Sequence, residues 1–285
     1  MIWAINNEDR IKATPKSSAK CPVCKGEVIS KCGVVKSWHW AHRSNTECDS
    51  WYEPESEWHL KWKSYFNEEC QEVIIENHRA DIKNKGGTVI EIQNSQISPD
   101  DVCDRELFYN KMIWLLNGDS FAKKLELRDK KTHLTFVWKN FPKSFFYSDK
   151  EIYVDLEKEV KQLSEEITNL YERLSLSYNK LEELIEEDPK KYSWGGCNEY
   201  DSETYPNKYM NGSQKEKEEI MAQYKIWSEI SEEIHLKGSQ KEFYNERTIL
   251  VIKKVYKKQP ATGWGFLITK KNFIRKFGGN LNEKE

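Results

Sequence analysis

Two hydrophobic rhythms alternate along this chain, and their order predicts its elements. Between His78 and Ser95 the sequence HRADIKNKGGTVIEIQNS places β-branched residues on both sides of Lys85-Gly86-Gly87, which is strong hairpin punctuation. The second strand holds Val89, Ile90 and Ile92, and Glu91 and Gln93 share one face of it, because strand side chains alternate with a period of two. The pattern places Asp81 at the close of the first strand. Ser98-Pro99 reads as a capped helix start, with Val102, Arg105, Glu106, Tyr109 and Met112 at helical spacing, and Ile113 to Leu116 as a buried strand ended by Asn117-Gly118.

From Leu156 the period changes. Leu156, Val160, Leu163, Ile167, Leu170 and Leu174 step by four and three, and Tyr178, Leu181 and Ile185 continue after one irregular step. This predicts a long helix over 151–187, ended by Asp188-Pro189. A second helix follows over about Gln214 to Leu236, with Ile220, Tyr224, Trp227, Ile230 and Ile234 on its apolar stripe. The simplest arrangement is an antiparallel hairpin across a loop containing Gly195-Gly196, Asn211-Gly212 and a plain free thiol at Cys197; the alternative is a homodimeric coiled coil through 151–187. Apolar runs return at Thr248 to Ile252 and Trp264 to Ile268.

Charge separates the segments further. Lys plus Arg against Asp plus Glu is 23 against 22 over 1–150, 10 against 21 over 151–235, and 12 against 4 over 236–285. The balance suggests a near-neutral body, an acidic solvated arm and a basic tail. Lys253, Lys254, Lys257, Lys258, Lys270, Lys271, Arg275 and Lys276 stand among aromatics and suit a phosphate backbone, or a solvated face. No run approaches the roughly 18 apolar residues of a membrane span, and the start lacks a signal-peptide pattern, so a cytoplasmic protein is expected.

Candidate chemistry falls in two places. Seven Cys, four within the first 50 residues, favour metal ligation over a disulfide framework. Cys21-Pro22-Val23-Cys24 followed by His39-Trp40-Ala41-His42 offers four ligands for a structural zinc, with Cys32 and Cys48 as substitutes for one of them. Downstream, a helix is expected to begin at Pro54 and run toward Cys70, which aligns Glu55, His59 and Lys63 along one face. Close to the hairpin acids, Glu55 would help hold a metal and His59 and Lys63 would face phosphate.

The order CPVC, HWAH, Glu55-Ser56…His59…Lys63, Arg79-Ala80-Asp81, Glu91-Ile92-Gln93-Asn94-Ser95, Arg105…Tyr109 resembles the competence protein CoiA-like family over roughly residues 20–150. The resemblance implies a mixed α/β fold with a restriction-endonuclease-like PD-(D/E)XK core. A zinc-binding element would precede that core, and a helical hairpin or coiled coil and a basic α+β segment would follow it. The implied divisions are 1–50, 51–150, 151–237 and 238–285. It further implies Mg²⁺- or Mn²⁺-dependent cleavage of DNA in uptake, recombination or defence. Asp81 and Glu91 would be the metal acids, Glu55 the acid of the first core helix, and Gln93 would stand where the superfamily commonly has Lys. His59, Lys63, Arg79, Arg105 and Tyr109 would then face DNA. Because Gln93 carries no charge, the alternative is a catalytically inactive DNA-binding recombination or assembly factor on the same fold, working with other proteins of a recombination or defence system.

Overall fold

The computed structural model describes residues 1–34, 37–43, 48–186 and 213–281. The chain forms two compact units, one of Met1–Lys158 with Glu246–Glu285 and one of Glu159–Asn245. The expected loop features at Asp188-Pro189, Gly195-Gly196, Cys197 and Asn211-Gly212 lie outside the described residues, as does the side chain of Ile185.

The first unit opens with five short strands: β1 (Trp3–Asn6), β2 (Asp9–Lys12), β3 (Ser18–Lys20), β4 (Glu27–Lys31) and β5 (His39–His42). They pair antiparallel in the order β2-β1-β3-β4-β5 around a small core of Met1, Ala4, Ala13, Cys21, Val28 and Trp40. Helix α1 then spans Glu57–Ser64, capped by Ser56 in a capping box with His59. The expected start at Pro54 is thus three residues early: Ser56 caps the N-terminal amides, which Pro54 cannot do. The helix also stops short of Cys70, where a single 3₁₀ turn leads into the next strand.

That strand, β6 (Gln71–Ile75), begins a nine-stranded sheet. It continues with β7 (His78–Lys83), β8 (Val89–Gln93), helix α2 (Pro99–Tyr109), β9 (Met112–Asn117), a helical turn α3 (Gly118–Phe121), β10 (Leu125–Asp129), β11 (Leu134–Trp138) and β12 (Glu151–Asp155). Helix α4 (Glu157–Glu186) and helix α5 (Gln214–Tyr244) follow, and the chain then returns as β13 (Ile249–Tyr256), β14 (Ala261–Ile268) and α6 (Lys270–Lys276). The strand order is β10-β11-β14-β13-β12-β9-β8-β7-β6, with β8, β9 and β12 mutually parallel. Its main core packs Trp62, Tyr65 and Phe66 after or on α1 against Ile82, Ile90, Ile92, Leu115, Tyr153 and Val251, and against Phe273 and Ile274 of α6.

Two expected boundaries therefore shift. Residues 151–155 are a buried central strand, and 249–268 complete the same sheet, so the basic tail is part of the α/β body. The charge step at 236 marks a change of surface, while the fold is decided by apolar strands that charge counting does not weigh.

In the second unit, α4 and α5 run antiparallel within one chain, with Leu170 and Leu174 against Ile230 and Ile234, and Lys237 2.7 Å from Glu166. Tyr178 is 48% exposed, and the neighbouring Ser177 takes its place in the seam, where Gln223 donates to its hydroxyl at 2.8 Å. The seam is thus Leu170, Leu174, Ser177, Leu181, an unbroken four-three-four repeat whose polar member hid it.

Candidate functional site

The N-terminal Cys/His cluster is built on strand alternation. Cys21 and Cys24 bracket a turn in which the Cys21 amide donates to the Gly26 carbonyl and the Lys25 amide to Cys21. Strand β5 faces them with His42. Because β5 is extended, His39 and His42, three positions apart, point to opposite faces. Only one can join. The structure brings Cys21, Cys24, His42 and Cys48 together, with all four ligand atoms within 4.8 Å of one another. His39 instead bonds through Nδ1 with the Ser37 carbonyl at 2.9 Å. Cys48, expected only as a substitute, is the fourth member; reading HWAH as a strand would have shown that one histidine needs replacing, though not which cysteine replaces it. Three thiols and an imidazole within 4.8 Å match the donor set of a closed tetrahedral zinc site, so the cluster can hold a metal such as zinc. Burial pushes the Cys48 thiol up to about 12, with Cys21 adding to it, whereas hydrogen bonds from the Gly26 amide and the other two thiols outweigh burial and hold Cys24 below its ordinary value. Burial holds His42 below its ordinary value, in the neutral form that ligates.

The second site lies where β7 and β8 part. Their backbone ladder pairs Ile82 with Ile90 and Lys83 with Val89, then ends. The turn joining them is closed by Asn84, which accepts from the Gly87 amide through its carbonyl and from the Thr88 amide through its side chain. Gly87 sits at φ +78°, a conformation that favours glycine. Beyond Ile82 the next facing pair is Asp81 and Glu91, and their side chains take over the ladder. Asp81 Oδ2 accepts from the Ile92 amide at 3.0 Å, and Glu91 Oε1 accepts from the Asp81 amide at 3.3 Å. Asp81 therefore lies inside β7 rather than at its close.

Around this fork sits a dense set of charges. Lys63, fully buried on α1, places Nζ 3.0 Å from Asp81, 3.4 Å from Glu55 and 3.4 Å from Glu72. Burial works against its charge, but the three carboxylates together hold its pKa above the ordinary range. Glu72 also accepts from the Ile2 and Trp3 amides, at 2.8 and 3.1 Å, which ties β1 to the edge of the large sheet. Arg79 lies 4.0 Å from Glu72, and Arg105 of α2 donates to Glu91 Oε2 at 2.8 Å and to the Trp51 carbonyl at 3.0 Å. His59 Nε2 donates to the Ile92 carbonyl at 3.0 Å while Nδ1 accepts from the Ser56 amide. Gln93 donates to Glu53 Oε2 at 2.9 Å and to the Ser95 carbonyl.

Cations and acids do not balance evenly. Burial pushes Glu55 up to about 7, with Lys63 resisting and Glu72 reinforcing the rise. Burial and the neighbouring Asp81 push Glu91 to about 7 as well, although Arg105 opposes them. Asp81 is held below the ordinary range, since Lys63, His59 and the Ile92 amide outweigh its burial. Both Glu55 oxygens, Gln93 Oε1 and Arg105 Nε are buried without a hydrogen-bond partner.

The structure thus gathers Glu55, His59, Lys63, Arg79, Asp81, Glu91, Gln93 and Arg105 at one fork. Glu55 precedes α1 instead of riding on it, yet still reaches Lys63. The cations differ from expectation, because Lys63, Arg79 and Arg105 meet carboxylates and not a phosphate-facing surface. His59 meets a backbone carbonyl, and Tyr109 packs against Trp51 and Phe108. Two members were missed: Glu72, whose buried strand gave no acid motif, and Glu53, the partner of Gln93. Of the tail lysines, Lys270 pairs with Glu157 at 2.8 Å and Lys276 with Glu151 at 3.3 Å, whereas Lys271 and Arg275 are exposed. Among the described residues no other group of three or more metal-ligating side chains closes as the Cys/His cluster does, and no helix is long and apolar enough to cross a membrane.

A small Cys/His-clustered sheet element joined to a mixed α/β body with a buried acid fork is the class this chain presents. Residues 4–50 match the family described as "Competence protein CoiA, N-terminal domain". Over 43 residues the chain is 49% identical to the competence protein CoiA of Bacillus subtilis (strain 168), a match covering 15% of this chain and 12% of that protein. The likeness to the CoiA-like family is thereby shown, and it is carried by the N-terminal element, a narrower span than the 20–150 read from the motif order. No solved structure matches the chain.

Proposed function

We propose that the body is a divalent-metal-dependent nuclease acting on DNA, in the setting that the name competence protein suggests: uptake, recombination or defence against foreign DNA. The reading is carried by Asp81 and Glu91, which face each other across the fork with Lys63 Nζ 3.0 Å from Asp81. The sequence of α1, three antiparallel strands, α2 and a parallel β9 supports a PD-(D/E)XK-like core, in which these two strands present the acids.

The donor chemistry fits a hard cation. Oxygen ligands from Asp81 and Glu91, with the Ile92 carbonyl beside them, are of the type that holds Mg²⁺ or Mn²⁺. Both Glu55 oxygens lack a hydrogen bond although Oε1 lies 3.4 Å from Lys63 Nζ, and burial raises two carboxyls to about 7, so the buried acids are left with charge that a cation would stabilise. A cation bound there lowers the pKa of a bound water and neutralises charge at a phosphate. Lys63 anchors Asp81 in its ionised form and supplies the fixed positive charge that Gln93 lacks. Gln93, with Oε1 unpartnered, is suited to accept a hydrogen bond from a water. Asp81, its side chain 21% exposed, is the acid that a substrate reaches.

The second reading, a DNA-binding recombination or assembly factor without catalysis, is favoured by one observation: both Glu91 oxygens are already engaged, by the Asp81 amide and by Arg105. The two separate on linear and circular DNA incubated with the zinc-loaded chain in Mg²⁺ or Mn²⁺. Cleavage that disappears in Asp81→Ala and Glu91→Ala supports the enzyme. DNA bound but intact in every metal overturns it and leaves the binding factor.

A further inference from the structure

Strand β14 is patterned inside out. In Ala261-Thr262-Gly263-Trp264-Gly265-Phe266 the inward positions carry glycine and the outward ones carry aromatics. A Cβ on Gly263 would lie 2.4 Å from the Phe136 ring, and one on Gly265 would lie 2.1 Å from the Val251 carbonyl oxygen, so neither position admits a side chain. Trp264 and Phe266 stay 38% and 37% exposed, although large aromatics ordinarily bury most of their surface.

Their surroundings are basic. Cross-strand pairing sets Lys254 directly beside Trp264. The Lys253 ammonium lies 5.5 Å from the Phe266 ring centroid, and Lys253 shares Glu151 with Lys276 of α6. Phe266 pairs with Val251, whose side chain lies in the core with α6, so the exposed aromatics continue the sheet face that α6 covers. Lys254 has no acidic partner among the described residues.

We propose that this open half of the sheet face is a stacking platform for single-stranded DNA. Trp264 and Phe266, two positions apart on one strand, stand about 7 Å apart, which gives each room for one unstacked base. Lys253, Lys254 and Lys276 line the path of the backbone phosphates. Stacking on exposed rings needs bases freed from a duplex and tolerates any sequence, and the flanking lysines make binding salt-dependent. The surface needs neither a metal nor cleavage. It rests on the DNA reading only in the choice of DNA over RNA.

The test is fluorescence anisotropy of a labelled oligo-dT with the full chain, zinc-loaded, in magnesium- and manganese-free buffer where nothing is cut. Trp264→Ala with Phe266→Ala is expected to weaken binding at least tenfold. Lys254→Glu should weaken it several-fold and reduce the salt dependence, and a duplex of equal length should bind more weakly. Because nothing is cut without magnesium or manganese, binding is read here separately from the cleavage assay. A thermal midpoint unchanged in Lys254→Glu and in Phe266→Leu guards against misfolding. Binding unaffected by both aromatic and lysine changes, equal affinity for duplex, no binding by the unaltered chain, or a tighter grip on oligo-U would each overturn the proposal.

Discussion

Lys63 is the residue on which the site turns: one buried ammonium lies within 3.4 Å of carboxylates from a loop and two strands. Lys63→Met removes the charge while keeping much of the stem, leaving Asp81, Glu55 and Glu72 unbalanced. Loss of one partner of a buried ion pair costs about 3–5 kcal/mol, so chemical denaturation should show a drop of that order. Glu91 gives a pH signature. Its folded pKa of about 7 is raised above the unfolded carboxyl, so the native state holds an extra proton between the two values, and stability falls as pH rises through that window. In metal-free protein the thermal midpoint should decline from pH 5 to pH 8. Glu91→Gln, which keeps the shape without the titration, should flatten part of that decline, on the order of 1–3 kcal/mol. An equally steep decline in the variant would refute the assignment. Much of this was legible beforehand, since Asp81 and Glu91 were readable from the turn and the β-branched strand. The direction of Lys63, Arg79 and Arg105 toward carboxylates was not legible, because a one-dimensional pattern does not reveal which cation finds which acid in three dimensions.

Among the elements, the helical hairpin shows how a rhythm is misread. Tyr178 looked like the continuation of the seam because it is large and apolar, yet Ser177 sits inside, paired with Gln223, and restores the heptad. Leu181→Ala should therefore cost about 2–4 kcal/mol, whereas Tyr178→Lys should stay within about 0.5 kcal/mol. The opposite order in urea unfolding would favour the seam through Tyr178. The same limit applies to β5: read as a bare HxxH spacing it offers two ligands, and read as a strand it offers one. Zinc content should be lost in Cys48→Ser and kept in His39→Ala, and retention of metal by Cys48→Ser would contradict the cluster.

At the scale of the molecule, the N-terminal element and the α/β body are bonded to each other. Glu72 accepts from the Ile2 and Trp3 amides while its carboxylate also meets Lys63, so the zinc-capable sheet and the acid fork share a buried acid. The small core of the five-stranded sheet has few large apolar residues, and metal binding is expected to carry much of its folding. Strong chelation should then lower the cooperativity of unfolding and disturb the fork with it. Segment order and the central strands were visible in the sequence, but the return of 249–268 into the same sheet was not. Strand pairing across an inserted helical unit leaves no local trace.

The central claim is that the fork between β7 and β8 takes a divalent cation. Electron paramagnetic resonance of Mn²⁺ titrated into the zinc-loaded chain tests it directly. The account predicts a bound Mn²⁺ population in the unaltered chain that is lost in Asp81→Asn and in Glu91→Gln. Mn²⁺ that stays free in the unaltered chain, or binds equally in both variants, would contradict it.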